Sequence, residues 1–147
     1  MGMAAPTEPI CDRDPMTLEP LLSAPLTIQI HAFAALAAAV IAPLQFLARK
    51  GSPLHRVDGY LWVGLMATVA ASSLWIHELR IFGPWSPIHL ISLWVLIGLP
   101  RAVLYARRGE VEAHRRIMRN MAFGALVIAG AFTLLPGRIM HQVLFGS

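Results

Sequence analysis

Four long stretches of this sequence contain no aspartate, glutamate, lysine or arginine, and they constrain the fold more than any other feature. A helix that crosses a lipid bilayer needs about 20 mainly apolar residues, and each stretch reaches or approaches that length. Because lipid offers no partner for backbone N–H and C=O groups, such segments are predicted to be helices. The four stretches cover residues 20–48, 59–77, 81–100 and 120–137.

The composition agrees with a membrane protein. Only 14% of the 147 residues are charged and 56% are apolar, whereas soluble domains carry about 25% charged residues. The mean hydropathy is +0.61, and the length corresponds to one domain. The net charge of +4 does not indicate nucleic-acid binding, because the basic residues lie at the ends of the apolar stretches and so set topology.

The sequence also contains an internal repeat. Residues 30–56 and 88–115 both open on Ile-His, carry a proline past their middle, reach Ala-Arg-basic-Gly, and close on His-Arg. Self-similarity at a fixed period divides the chain into two halves, about residues 26–80 and 86–141. Each half is predicted to supply one helical hairpin.

The predicted fold is all-α: an integral membrane four-helix bundle built from two tandem helical hairpins. A polar tail over residues 1–22 precedes the transmembrane domain over residues 23–147, and it does not read as a signal peptide. Alanines at four-residue spacing in the first span (Ala34, Ala38, Ala42) predict a ridge for close helix packing. Tyr60 and Trp62 are predicted to lie in an aromatic belt at the membrane interface. The predicted spans cover residues 24–47, 57–79, 88–106 and 117–141.

The distribution of basic residues predicts the orientation. The first and third connections are rich in lysine and arginine, whereas the second carries only Arg80. By the positive-inside rule the two basic connections face the cytoplasm, which places both chain ends outside. Because each half contributes two spans, the halves are predicted to run parallel, with spans one and three facing each other across the bundle, as do two and four.

Six histidines carry the functional hypotheses. The repeat pairs His31 with His89 toward the outer side and His55 with His114 at the inner interface. Facing histidines can ligate a b-type haem, and pairs at two depths would form a transmembrane path for electrons. The partner would then be a quinone or a redox protein. Alternatively, imidazoles converging near the outer side could hold zinc or copper. That alternative site comprises His31, His77, His89 and His141.

Two further interpretations stay open. Arg56, Arg115 and Arg116 lie beside helix N-termini, where they suit an anion such as a lipid phosphate or a quinone oxygen. The histidines could instead only form hydrogen bonds within the bundle of a non-enzymatic membrane scaffold or a small transporter subunit. No nucleophile–base pair or phosphate loop appears in the spans, which disfavours a hydrolase or a kinase. Whether the protein is an enzyme, and whether two copies associate, is left open.

Six short motifs occur in order along residues 26–141. They are Ile30-His31, Pro43-Leu44-Gln45-Phe46, His55-Arg56-x-x-Gly59, Ser86-Pro87-Ile88-His89-Leu90, His114-Arg115-Arg116 and Leu135-Pro136-Gly137-Arg138. Their order and spacing resemble a family of bacterial predicted membrane proteins, domain of unknown function 2306. The resemblance implies four helices in the bacterial inner membrane and no established activity, and the positive-inside rule then places the termini in the periplasm. It brings no ligands, so the haem hypothesis rests on the histidines alone.

Overall fold

A computed structural model of the chain describes residues 18–76, 87–136 and 138–145. Every element of regular structure within those ranges is helical. The predicted turn before the third span, His77 and most of the predicted tail, including Cys11, lie outside the described residues. The elements are α1 (Glu19–Leu22), α2 (Leu26–Leu47), α3 (Pro53–Ser73), α4 (Pro87–Arg107), α5 (Val111–Met121), a π-helix π1 (Ala122–Ile128), α6 (Ala129–Thr133) and α7 (Ile139–Phe145).

Four long helical segments pack side by side in chain order. The first three are α2, α3 and α4, and the fourth, which we call segment four, comprises α5, π1 and α6. Each segment packs on the next along the chain, and π1 also contacts α2. Short loops join α2 to α3 and α4 to α5, so both loops lie at one end of the structure, which we call the basic end. At the opposite end the short helices α1 and α7 pack on each other.

A glycine in the left-handed region occurs in each loop at the basic end. Gly51 has φ 79° and Gly109 has φ 77°, a conformation that side chains with a Cβ rarely adopt. At the first loop the Lys50 ammonium donates to the carbonyl oxygens of Gln45 (2.8 Å) and Phe46 (2.7 Å), a favourable position for a cation at a helix C-terminus. Ser52 then caps α3, its Oγ accepting from the His55 N–H at 3.1 Å.

The buried face of α2 is made of small side chains, as the alanine spacing predicts. Ala34, Ala38 and Ala42 are its buried residues, whereas Val40 and Leu47 point outward and are 67% and 84% exposed. Small residues let helix backbones approach closely where burial of large apolar groups does not drive packing. The core cluster comprises Ala38, Ala42, Trp62, Met66, Ala70, Val95, Leu99, Met121 and Ala122.

Trp62 belongs to this core, and its assignment to an interfacial aromatic belt is wrong. The side chain is only 2% exposed, and its indole N–H donates to the carbonyl oxygen of Ala38 at 3.1 Å. The hydrogen bond satisfies the polar end of the ring and ties α3 to α2. A second buried contact joins α3 to α4, where the hydroxyls of Ser73 and Ser92 form a hydrogen bond.

The helices differ from the predicted spans in their bounds. Two of them, Leu26–Leu47 and His89–Arg107 within α4, are long and apolar enough to cross a membrane by length and composition. α3 begins ahead of its uncharged stretch, so it includes Arg56 and Asp58. Segment four begins at Val111 rather than near residue 117 and is divided among three elements. The all-helical expectation is confirmed for the described residues.

The two ends of the domain also differ in detail from expectation. α6 ends at Thr133 and α7 begins at Ile139, so the chain breaks around Pro136 as its sequence predicts. α1 lies within the last residues of the predicted tail, yet its Leu21 is 1% exposed and the helix packs on α7. Pro43 and Pro100 lie inside α2 and α4 without ending them.

Candidate functional site

His31 bonds to the neighbouring helix in the chain. Its Nδ1 lies 3.1 Å from the carbonyl oxygen of Val69 and 3.1 Å from the hydroxyl of Ser72, both on α3. Because a carbonyl oxygen only accepts, the proton of the neutral ring resides on Nδ1. Nε2 therefore keeps the lone pair and is the ring nitrogen that could bind a ligand.

His89 lies at the same end of the structure as His31, because α2 and α4 both start there. The His89 side chain is 5% exposed and His31 is half-buried, so neither ring points outward. The hydrogen bonds described for His31 go to α3, which packs between α2 and α4. Their proposed pairing across the structure stays a prediction.

At the basic end, His114 has the same kind of partner as His31. Its Nδ1 lies 2.9 Å from the carbonyl oxygen of Ala102 on α4, so Nδ1 again carries the proton and Nε2 the lone pair. The contact closes the α4–α5 hairpin just beyond the loop at Gly109. His31 and His114 thus each form a hydrogen bond, through one ring nitrogen, between the two helices of a hairpin. They do so at opposite ends of the molecule.

His55 closes the first hairpin through its backbone rather than its ring. The Gln45 side-chain amide donates to the His55 carbonyl oxygen at 2.9 Å. A Cβ at Gly59 would lie 2.9 Å from that amide nitrogen, which gives the glycine of the His-Arg-x-x-Gly motif a steric reason. Gln45 Oε1 and His55 Nδ1 are both buried, and neither forms a hydrogen bond within the described part of the chain.

The two histidines of the basic end lie near enough to interact electrostatically. Burial lowers the pKa of His55 below its ordinary value of 6.5, and the positive charges of Lys50 and of protonated His114 lower it further, with Asp58 opposing them. His55 precedes the uncharged part of α3. The pairing of His55 with His114 stays a prediction, and the His55 ring is neutral over a wider pH range than a free imidazole.

The alternative metal site is only partly covered by the structure. His141 lies on α7, its ring centroid 4.8 Å from that of Phe145. Among the described residues, no three His, Cys, Asp or Glu side chains gather as a metal site would require. His77, the fourth proposed ligand, is outside those residues, and the zinc or copper hypothesis stays a prediction.

The basic end presents its cations to the surroundings. The three arginines proposed to bind an anion are exposed: Arg56 on the first turn of α3, and Arg115 and Arg116 on the second turn of α5. Sequence reasoning missed a contact between the two hairpins at this end: the Arg107 Nε and Nη2 both lie 3.4 Å from the Tyr60 hydroxyl oxygen. The position of Tyr60 near the start of one helix and of Arg107 at the end of the next was the available signal.

Within the described residues the chain is all-helical, two of its helices are long and apolar enough for a bilayer, and many large apolar side chains point outward. These features are typical of a helical membrane protein. The chain belongs to the family described as predicted membrane protein (DUF2306), whose model matches residues 28–145. No curated protein and no solved structure matches the chain.

Proposed function

We propose that this chain is a multi-pass protein of the bacterial inner membrane, with four spans and no catalytic activity of its own. It acts as a membrane scaffold or as a small transporter subunit. The observation that carries the proposal is the exposure of many large apolar side chains on the outer faces of the helices. Soluble monomers rarely expose a contiguous apolar patch larger than a few hundred Å², yet here large apolar residues cover the outer faces. They include Phe33, Val40, Leu61, Leu93, Ile97, Val127 and Phe132.

The proposed orientation places the basic end in the cytoplasm and both termini in the periplasm. Cys11 is the single cysteine, so a membrane-impermeant maleimide applied to intact cells is expected to label it. A Cys11→Ser, Glu110→Cys variant moves the thiol to the α4–α5 loop and is expected to react only after the membrane is disrupted. The reverse pattern would contradict the orientation, and release of the protein by alkaline carbonate would contradict membrane integration.

The scaffold role gives the histidines a structural task, since His31 and His114 join adjacent helices. Replacing His31 with phenylalanine keeps a ring and removes the donor. We expect this change to lower the free energy of unfolding in detergent micelles by about 0.5–1.5 kcal/mol, as for the loss of one hydrogen bond. A double-mutant cycle with Ser72→Ala should show a coupling energy of a few tenths of a kcal/mol or more.

The control is the cycle between His31→Phe and His114→Phe. These residues lie at opposite ends and share no partner, so their effects are expected to add within about 0.5 kcal/mol. Coupling between His31 and His114 as large as that between His31 and Ser72 would contradict separate helix-locking roles.

A b-type haem at the basic end is the second candidate, favoured by the buried His55 Nδ1, which has no hydrogen-bond partner within the described residues. The His114 Nδ1–H donates to the Ala102 carbonyl oxygen, which leaves Nε2 for iron. Histidines that bind metals commonly donate their other ring N–H to a carbonyl in the same way. The buried Nδ1 of His55 is a nitrogen that a ligand could satisfy. Nine side chains fill the middle of the structure, so a haem would have to lie nearer an end.

The absorption spectrum of protein purified from cells supplied with haem separates the two candidates. If the protein is a scaffold, we expect no Soret band. The histidine variants should then only lower the free energy of unfolding, as described above. A Soret band that disappears in His55→Phe and His114→Phe and persists in His31→Phe would overturn it in favour of haem at the basic end.

A further inference from the structure

An apolar groove of about 520 Å³ runs between α3 and α4. Its volume lies in the range of small-ligand sites, roughly 300–1,000 Å³. Val63 and Ala67 form one wall and residues from Leu96 onward form the other, with Pro100 midway. The groove does not overlap the histidine pairs, so it is distinct from the candidate sites above.

The groove ends at a cation. Among the described residues, Arg107 is the one charged residue that lines the groove, and it belongs to the basic end. The Tyr60 hydroxyl oxygen is 3.4 Å from two of the guanidinium nitrogens, which is at the long limit of a hydrogen bond. No carboxylate of the described residues forms an ion pair with Arg107. A guanidinium has five N–H donors, so most of them are left for another acceptor.

The length of the groove fits one leaflet of a bilayer. From Leu96 to Arg107 a helix rises about 16 Å at 1.5 Å per residue, which is close to half of the roughly 30 Å hydrocarbon core. The groove therefore runs from mid-membrane depth to the headgroup level of the leaflet at the basic end.

We propose that this groove binds an anionic phospholipid of the cytoplasmic leaflet, with one acyl chain between α3 and α4 and the phosphate on Arg107 and the Tyr60 hydroxyl. The inference rests on the proposed membrane placement. An arginine fork matches phosphate geometry, and basic pockets between transmembrane helices on the cytoplasmic side bind such headgroups. A neutral quinone would leave the cation unmatched, and a second copy of the chain seated in the same groove would bring like charges together.

Native mass spectrometry of the full chain tests the proposal. Protein in micelles with equal amounts of phosphatidylglycerol and phosphatidylcholine is expected to retain the anionic lipid preferentially. Arg107→Gln should reduce that preference about fivefold, because one cation at a membrane surface contributes about 1 kcal/mol. Ala67→Phe, which fills the groove, should reduce retention of both lipids.

Arg108→Gln is the matched control, since it removes the same charge from the next residue, which does not line the groove. It should change the preference less than twofold, and thermal unfolding of all variants checks that they fold. Equal losses at residues 107 and 108, no preference in the wild type, or a dimer that retains no lipid would overturn the lipid site. Protein that integrates into vesicles without selective lipid contradicts only this site, whereas protein recovered as a soluble species contradicts the membrane proposal itself.

Discussion

Replacing Trp62 with alanine is expected to lower the free energy of unfolding by about 3–5 kcal/mol, the usual cost of deleting a buried aromatic side chain. Trp62 is the largest of the fully buried side chains, and it occupies the centre of the core cluster between α2 and α4. The change removes its van der Waals contacts and the hydrogen bond to the Ala38 carbonyl. Unfolding in micelles, followed by circular dichroism, measures the effect.

Leu61 provides the control for this prediction, because it precedes Trp62 on the same helix and is 54% exposed. Leu61→Ala should change the free energy of unfolding by no more than about 0.5 kcal/mol. Trp62→Phe should fall between the two, since it keeps most of the ring and loses the N–H donor. Similar losses for Leu61→Ala and Trp62→Ala would show that Trp62 does not fill the core.

Enlarging Ala38 to leucine is expected to destabilise the protein by at least 1–3 kcal/mol, the range for overpacking a tight interior. Ala38 is 0% exposed on the face of α2 that packs on α3, and its carbonyl oxygen accepts the Trp62 N–H. A larger side chain would push the two helices apart, so the hydrogen bond would be lost together with the packing. Thermal unfolding of the purified protein gives the measurement.

Ala39→Leu is the matched comparison, because it makes the same change one residue further along, on the exposed face of α2. In lipid an additional exposed leucine is well tolerated, so the midpoint of unfolding should move by only a few degrees at most. If Ala38→Leu and Ala39→Leu had the same effect, the small-residue face would not be the contact face of α2.

Much of the fold follows from the sequence, because uncharged runs and basic loops have few structural solutions. The alanine ridge of α2 and the break near Pro136 were predictable, since spacing and backbone chemistry dictate them. The burial of Trp62 in the core was not predictable from the sequence. An aromatic residue near the end of an apolar helix fits both an interfacial belt and a core. In a chain that is apolar all round, periodicity does not say which face points inward.

The candidate site was predictable only in part for a related reason. The repeat groups His55 with His114, whose charge lowers the pKa of His55, but their pairing as ligands stays a prediction. For His31 the repeat gave the depth, but not the direction of the ring, which depends on the rotation of α2 about its axis. That rotation directs Nδ1 to Val69 and Ser72 on α3. The contact of Tyr60 with Arg107 depends on how the two hairpins meet, and the sequence signals it only through the positions of these residues at neighbouring helix ends.

The π-helix Ala122–Ile128 has a consequence for how this chain tolerates insertions and deletions. A π-helical turn accommodates one residue more than an α-helical turn. In a regular α-helix, one inserted residue would instead rotate the rest of the segment by about 100°. Met121 and Ala122, where the π-helix begins, are held in the core, whereas Phe123, Val127 and Ile128 on the outer face are exposed. Loss of one residue between Met121 and Ala129 would tighten the backbone locally and leave Phe132 facing the same way.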